Sequence, residues 1–109
     1  MVLKVLESNF PNDGEFTEEF ERKIAALCGV RYAVAVTSGT VALFVALKAC
    51  GVGRDDEVLV PDLTFIATAN AVSLAGGRPI LVDVDWLTMG MDPRRAAEAI
   101  TPRTKAIIP

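Results

Sequence analysis

The sequence has no histidine, and its only cysteines are Cys28 and Cys50. Without histidine the commonest general base is missing, and two distant thiols offer a zinc ion almost no ligands. Each cysteine falls at the end of an expected helix, so a disulfide framework is not expected and a reducing cytoplasm is the default compartment. No apolar run approaches the ~20 residues that span a bilayer. The opening MVLKVLESNF lacks the apolar core and small-residue cleavage site of a secretory signal. Basic clusters are missing too. The 11 Lys and Arg are scattered through a chain of net charge −3 and pI near 4.8, which argues against a nucleic-acid or anionic-membrane surface.

What is present is ample material for a core. Hydrophobic residues make up 51% of the 109, above the usual share and enough for one domain at most. After a loose beginning, Phe16, Phe20, Ile24 and Leu27 recur at helical spacing. Thr17 precedes the acids Glu18 and Glu19, which suit a first helical turn, and Gly29 is placed to end the helix. RYAVAVT (31–37) reads as a strand buried on both faces. An Ala- and Leu-rich helix over 39–50 follows, stopped by Gly51, and then a strand, EVLVP (57–61). A helix over 65–74 closes on Gly76-Gly77, and PILVDVD (79–85) is a third strand. Asp92 with Pro93 behind it is a helix start, and KAIIP (105–109) is a fourth strand. Strands alternating with helices at this spacing build a mostly parallel sheet with helices on both faces, an α/β fold. The chain stops directly after an apolar strand, with no closing helix, so it reads as cut rather than completed.

The chemistry is concentrated at one joint, VAVTSGTVAL (34–43), where an apolar strand passes through Thr-Ser-Gly-Thr into a helix. Free backbone N–H groups and the positive end of the helix dipole hold a phosphate well at such a place. Gly39 permits close approach, and the hydroxyls of Ser38 and Thr40 can donate. No Lys follows, so this is not a Walker loop, and G-x-G-x-x-G is absent. Taken alone, the same four residues are equally a capped helix start.

Four segments in order, VAVTSGTVAL, DEVLVPDLTFIATANAV (56–72), PILVDVD and AITPRTKAIIP (99–109), resemble the amino-terminal part of the DegT/StrS family of pyridoxal-phosphate-dependent sugar-nucleotide aminotransferases. The resemblance runs from about Phe16 to Pro109, with residues 1–15 as an N-terminal arm. It implies the amino-terminal part of the large domain of the aspartate-aminotransferase type (fold type I), apparently truncated. It also implies pyridoxal 5'-phosphate as cofactor, and transfer of an amino group from glutamate to a keto sugar nucleotide by a cytoplasmic homodimer. Carried over by position, Ser38, Gly39 and Thr40 cradle the cofactor phosphate. Phe65 lies over the pyridine ring, a role its flat apolar face suits; without the family it reads as a core residue starting a helix.

Asn12, Asp13 and Gly14 form a turn where relatives approach the sugar substrate, although Asn-Asp-Gly is a turn signal in its own right. Asp83 and Asp85 share one strand face and invite a metal, but they read better as a strand end binding turn amides. No metal site is expected, and neither carboxylate is the one that pairs with the pyridine nitrogen in the family. The resemblance also implies that the Schiff-base lysine lies beyond Pro109. Lys4, Lys23, Lys48 and Lys105 are the only lysines, and none sits in the family's lysine motif, so no catalytic residue is assigned. The chain alone is then expected to be inactive. The alternatives are a non-catalytic, truncated α/β module for phosphate binding or assembly, and an unrelated phosphate-binding domain that shares only the joint.

Overall fold

The five residues Glu57–Pro61 form the centre of a three-stranded sheet, and all five are buried. The computed structural model describes residues 2–8 and 14–109, which fall into two compact units, Met1–Val36 and Thr37–Pro109. Among the described residues no helix is long and apolar enough to cross a membrane.

The first unit carries α1 (Val2–Glu7) and α2 (Glu15–Cys28). Helix α1 falls where the sequence was read as a loose start; its Leu, Lys and Glu are good helix formers, but it buries no residue. Helix α2 begins one residue before the expected Phe16, with Glu15 and Glu18 in its first turn, and it ends at Gly29 in the left-handed region. The amide of Val30 returns to the carbonyl of Ala25 at 3.0 Å, a closure typical of glycine-ended helices.

The expected strand at 31–37 does not form. Val34 is 75% exposed, and the Ala35 amide donates to the Glu21 carboxylate at 2.7 Å instead of to a ladder. A run of Val and Ala becomes a strand only beside another strand, and none of the described strands pairs with it. The sheet therefore has three strands where the sequence suggested four.

The second unit contains α3 (Gly39–Ala49), β1 (Glu57–Pro61), α4 (Ala67–Ala75), β2 (Arg78–Val82), α5 (Pro93–Ala99) and β3 (Thr104–Ile107). The strand order is β2-β1-β3, with both pairings parallel. Alternation along β1 divides its side chains between two cores. Val58 and Val60 pack with Leu47, Val52, Ala71, Val72 and Ala75 under α3 and α4. Leu59 faces the other way, with Val82 and Ala96, beneath α5. Each fully buried side chain of this size stabilises the fold by roughly 1.5–3 kcal/mol. Helices thus cover both faces of the sheet, as read from the sequence.

The pair Gly76-Gly77 is required twice over. Gly76 ends α4 at φ 90°. At Gly77 a Cβ would meet Val52 Cγ1 at 2.9 Å and the Asp56 carbonyl oxygen at 3.3 Å. Helix α5 starts as expected, with the Asp92 carboxylate accepting from the amides of Arg94 (2.8 Å) and Arg95 (3.4 Å). The third segment leaves the sheet at Val82, earlier than expected, and Val84 makes an isolated bridge with Met91.

Candidate functional site

Helix α4 leaves the carboxyl end of β1 and returns the chain to the amino end of β2, so it runs against the strands. The last turn of α3 meets the last turn of α4: Lys48 Nζ donates to the Ala75 carbonyl at 3.2 Å, and Leu47 packs with Ala75 and Val52. The opposite end of α3, which carries Ser38, Gly39 and Thr40, is therefore directed to the carboxyl edge of the sheet. The loop after β1, with Phe65, leaves from that same edge.

Ser38 caps α3 in extended conformation, its Oγ accepting from the Val41 amide at 3.3 Å. That bond uses an oxygen lone pair and leaves the hydroxyl proton free to donate. The amides of Gly39 and Thr40 make no hydrogen bond within the described residues, as is usual for the first N–H groups of a helix. Nothing lies within 4 Å of the position a Cβ would take on Gly39. The Thr40 hydroxyl adds a further donor on a half-buried side chain, beside an apolar hollow of about 180 Å³ formed with Val41, Phe44 and Leu74. Free amides, hydroxyl donors and open space at the positive end of an 11-residue helix fit a phosphate group.

Phe65 is 77% exposed and precedes α4, which removes the reading of it as a core residue. Its backbone is held, because its carbonyl accepts from the Thr68 amide at 3.0 Å while Thr64 Oγ1 and Thr68 Oγ1 lie 3.2 Å apart. The ring is thus presented on a fixed stem with its faces free. Asn12 and Asp13 lie outside the described residues. Gly14 belongs to the first unit, where it precedes α2 at φ 137° and its carbonyl accepts from the Glu18 amide at 3.1 Å.

Both aspartates follow the end of β2 at Val82, and of the two it is Asp85 whose carboxylate binds turn amides. Asp85 Oδ1 accepts from the amides of Leu87 (3.0 Å) and Thr88 (2.9 Å) and from the Thr88 hydroxyl (3.1 Å). These bonds, the Thr88 amide foremost, hold its carboxyl below the usual range. Among the described residues no group of three or more potential ligands gathers at a metal-binding distance.

One constellation was not read from the sequence. At the amino end of β1, Glu57 is only 3% exposed. Its carboxylate accepts from Thr101 Oγ1 (2.6 Å) and from Arg103 Nε (3.0 Å) and a terminal guanidinium nitrogen (2.6 Å). The Thr101 hydroxyl, then Arg103, hold this carboxyl below its ordinary value. The available signal was an acid opening the strand EVLVP and the polar run TPRTK, but nothing local connects them.

Comparison with known proteins places this arrangement in context. The model of the DegT/DnrJ/EryC1/StrS aminotransferase family matches residues 1–109. GDP-perosamine synthase of Caulobacter vibrioides is 51% identical over 99% of this chain and 29% of that protein. The spore coat polysaccharide biosynthesis protein SpsC of Bacillus subtilis is 45% identical over 99% of this chain and 28% of that protein. Among solved structures, NtdA of Bacillus subtilis with bound cofactor PMP superimposes with a TM-score of 0.86 and 40% identity, over 97% of this chain and 25% of that one. The chain spans under a third of the length of these relatives.

Proposed function

The chain belongs to the DegT/DnrJ/EryC1/StrS aminotransferase family, and from that premise we propose that it provides the phosphate cradle of a pyridoxal-phosphate-dependent aminotransferase acting on a keto sugar nucleotide. The observation that carries this reading is the start of α3, where two unpaired amides and two hydroxyls meet open space at Gly39. Pyridoxal phosphate, when bound, supplies the electron-accepting ring through which an amino group is exchanged. The residues of this chain bind and orient. The amides of Gly39 and Thr40 and the hydroxyls of Ser38 and Thr40 take the phosphate oxygens, and Phe65 limits tilt of the ring by covering one face. Gly14, with Asn12 and Asp13, approaches the sugar. Glutamate is the amino donor, and the protein works in the cytoplasm.

The 109 residues by themselves hold the phosphate without turning over substrate. Lys48 is tied to the carbonyls of Val52 and Ala75, Lys23 pairs with Glu19 at 2.6 Å, Lys105 lies on β3 and Lys4 on α1. Within the second unit neither Lys48 nor Lys105 is placed at the carboxyl edge beside Ser38, and proton transfer without a positioned base loses the advantage of proximity. The test is to mix purified chain with pyridoxal phosphate, glutamate and a keto sugar nucleotide. Saturable cofactor binding is expected, with no amino sugar formed. After borohydride reduction, peptide mapping is expected to find no single dominant modified lysine. Amino-sugar production by the isolated chain, freed of host enzymes, would overturn the reading.

A homodimer is part of the same proposal. Among the described residues β3 pairs on one side only, and it exposes Ile107; an unpaired apolar edge invites another strand. Light scattering at high micromolar concentration should find dimers or larger species. A clean monomer would remove this element.

A further inference from the structure

At the amino edge of the sheet, across β1 from the phosphate cradle, a cavity of about 420 Å³ lies between the turn before β1, the end of α4 and the start of β2. Three arginines line it, Arg54, Arg78 and Arg103, against two acids, Asp55 and Glu57. Glu57 is already engaged: its carboxylate is bound by Thr101 and by two nitrogens of Arg103. Those bonds fix the Arg103 guanidinium in the cavity wall. The Arg78 amide donates to the Asp56 carbonyl at 2.8 Å, but the guanidinium groups of Arg54 and Arg78 make neither a hydrogen bond nor an ion pair within the described residues. Two guanidinium forks without hydrogen bonds therefore share the cavity with a third that is anchored; the charge of Arg78 also acts on Glu57, and among the described residues Asp55 is the carboxylate there without a hydrogen-bond partner.

The backbone adds donors. In the turn from Gly53 to Asp56 the amide of Asp56 returns to the Gly53 carbonyl at 3.3 Å, while the amides of Arg54 and Asp55 make no hydrogen bond within the described residues. Asp55 holds φ 70°, unusual for a residue with a side chain. Successive free amides in a turn of this kind form concavities that accept anions. Gly76 lies beside this turn, where a Cβ on it would be in ordinary van der Waals contact with the Arg54 amide nitrogen at 3.8 Å.

We propose that this amino-edge cavity is a second anion site, distinct from the cofactor cradle, that binds the phosphate group of a small phosphate-bearing molecule through Arg54, Arg78 and the turn amides of Arg54 and Asp55. Guanidinium forks match the oxygens of phosphate two at a time. The volume, within the range of small-molecule sites, leaves room for more than a bare ion. The shared chemistry is the phosphate, which can come from inorganic phosphate or from a phosphate ester such as a nucleoside diphosphate.

The test is a heteronuclear NMR titration of the ¹⁵N-labelled 109-residue chain with inorganic phosphate and, separately, with UDP, at constant ionic strength against a chloride control. Saturable shifts at Arg54, Asp55, Gly76, Gly77 and Arg78 are expected. Tighter binding of UDP identifies an ester as the ligand, and equal or weaker binding identifies free phosphate; either ranking upholds the site. The exposed pair Arg54→Ala with Arg78→Ala should weaken binding about ten- to a hundredfold, as loss of charged hydrogen bonds does. Thr40→Val should leave these shifts in place, which separates this site from the cradle. Shifts that rise linearly, that chloride reproduces or that survive the double substitution would show an adventitious ion only and overturn the proposal.

Discussion

The two edges of one three-stranded sheet have been finished in opposite ways. At the amino edge the first residue of β1 is a buried carboxylate, and three donors from residues 44 and 46 positions away close on it. At the carboxyl edge the donors of Ser38, Gly39 and Thr40 have no partners among the described residues, and an aromatic ring stands 77% exposed. Both edges belong to the same central strand, β1. The difference is one of satisfaction: an unpaired polar group costs free energy when buried, so the buried Glu57 is fully bonded, whereas the exposed Ser38 and Gly39 can be completed by water or a ligand. The amino edge thus joins β1 to β3, and the carboxyl edge keeps its donors open to solvent.

The largest effect should come from the residue both edges depend on. Leu59 is completely buried between β1 and α5, and Leu59→Ala should cost about 2–5 kcal/mol through lost contacts and a cavity. That is a large part of a typical domain's stability of ~5–15 kcal/mol. Thermal or urea unfolding measures it. Cofactor binding should weaken only as far as the unfolded fraction grows; a specific loss of affinity in the folded fraction would blur the distinction between edge and core.

A smaller and more selective effect belongs to the carboxyl edge. Thr40→Val keeps the shape and removes one donor to a charged group, a loss of roughly 1.5–3 kcal/mol. In a protein that includes the whole family fold, pyridoxal phosphate should bind about ten- to a hundredfold more weakly. The melting temperature without cofactor should scarcely move, since the hydroxyl has no partner within the described residues. A spectroscopic titration and a melt on the same sample separate the two readouts. Unchanged affinity removes Thr40 from the cradle.

How much of this was legible follows the range of each signal. EVLVP was read to the residue, because a short apolar run between polar turns can do little else. Asp92-Pro93 announced α5 through chemistry confined to three positions. The joint at Ser38 was visible for the same reason: cap, glycine and helix are consecutive. RYAVAVT has strand composition, yet a strand is made by its neighbour, and no described strand adjoins it. The Glu57–Arg103 contact joins residues 46 apart. No local pattern marks it, and only the parallel pairing of β1 with β3 brings them together. Phe65 was placed by family resemblance; its exposure could not have been derived from an apolar residue at an apparent helix start.

The smallest expected effect is a change confined to the acid side, and it tests the amino edge alone. Glu57→Gln keeps the size of the side chain and one acceptor oxygen, enough for Arg103 or Thr101 but not both, and it removes the charge that strengthens those bonds. The Glu57 carboxyl titrates lower in the folded chain than in the unfolded one, chiefly because of the Thr101 hydroxyl and then Arg103. A depressed folded pKa contributes stability that is fully present above the unfolded carboxylate value, about 4.3. That contribution is lost as pH falls from there through the lower folded value, because the unfolded state then binds the proton more readily. The parent chain should therefore melt above Glu57→Gln at neutral pH, by a margin that stays constant down to about pH 5. Below that the margin should shrink steadily and close in strong acid, where the parent carboxyl is protonated too. Melting curves of the two proteins across pH 2–8 measure the margin directly. A gap that stays constant to the acid limit would mean that Glu57 acts by shape rather than charge, and the amino edge would then be closed by packing, not by its ion pair.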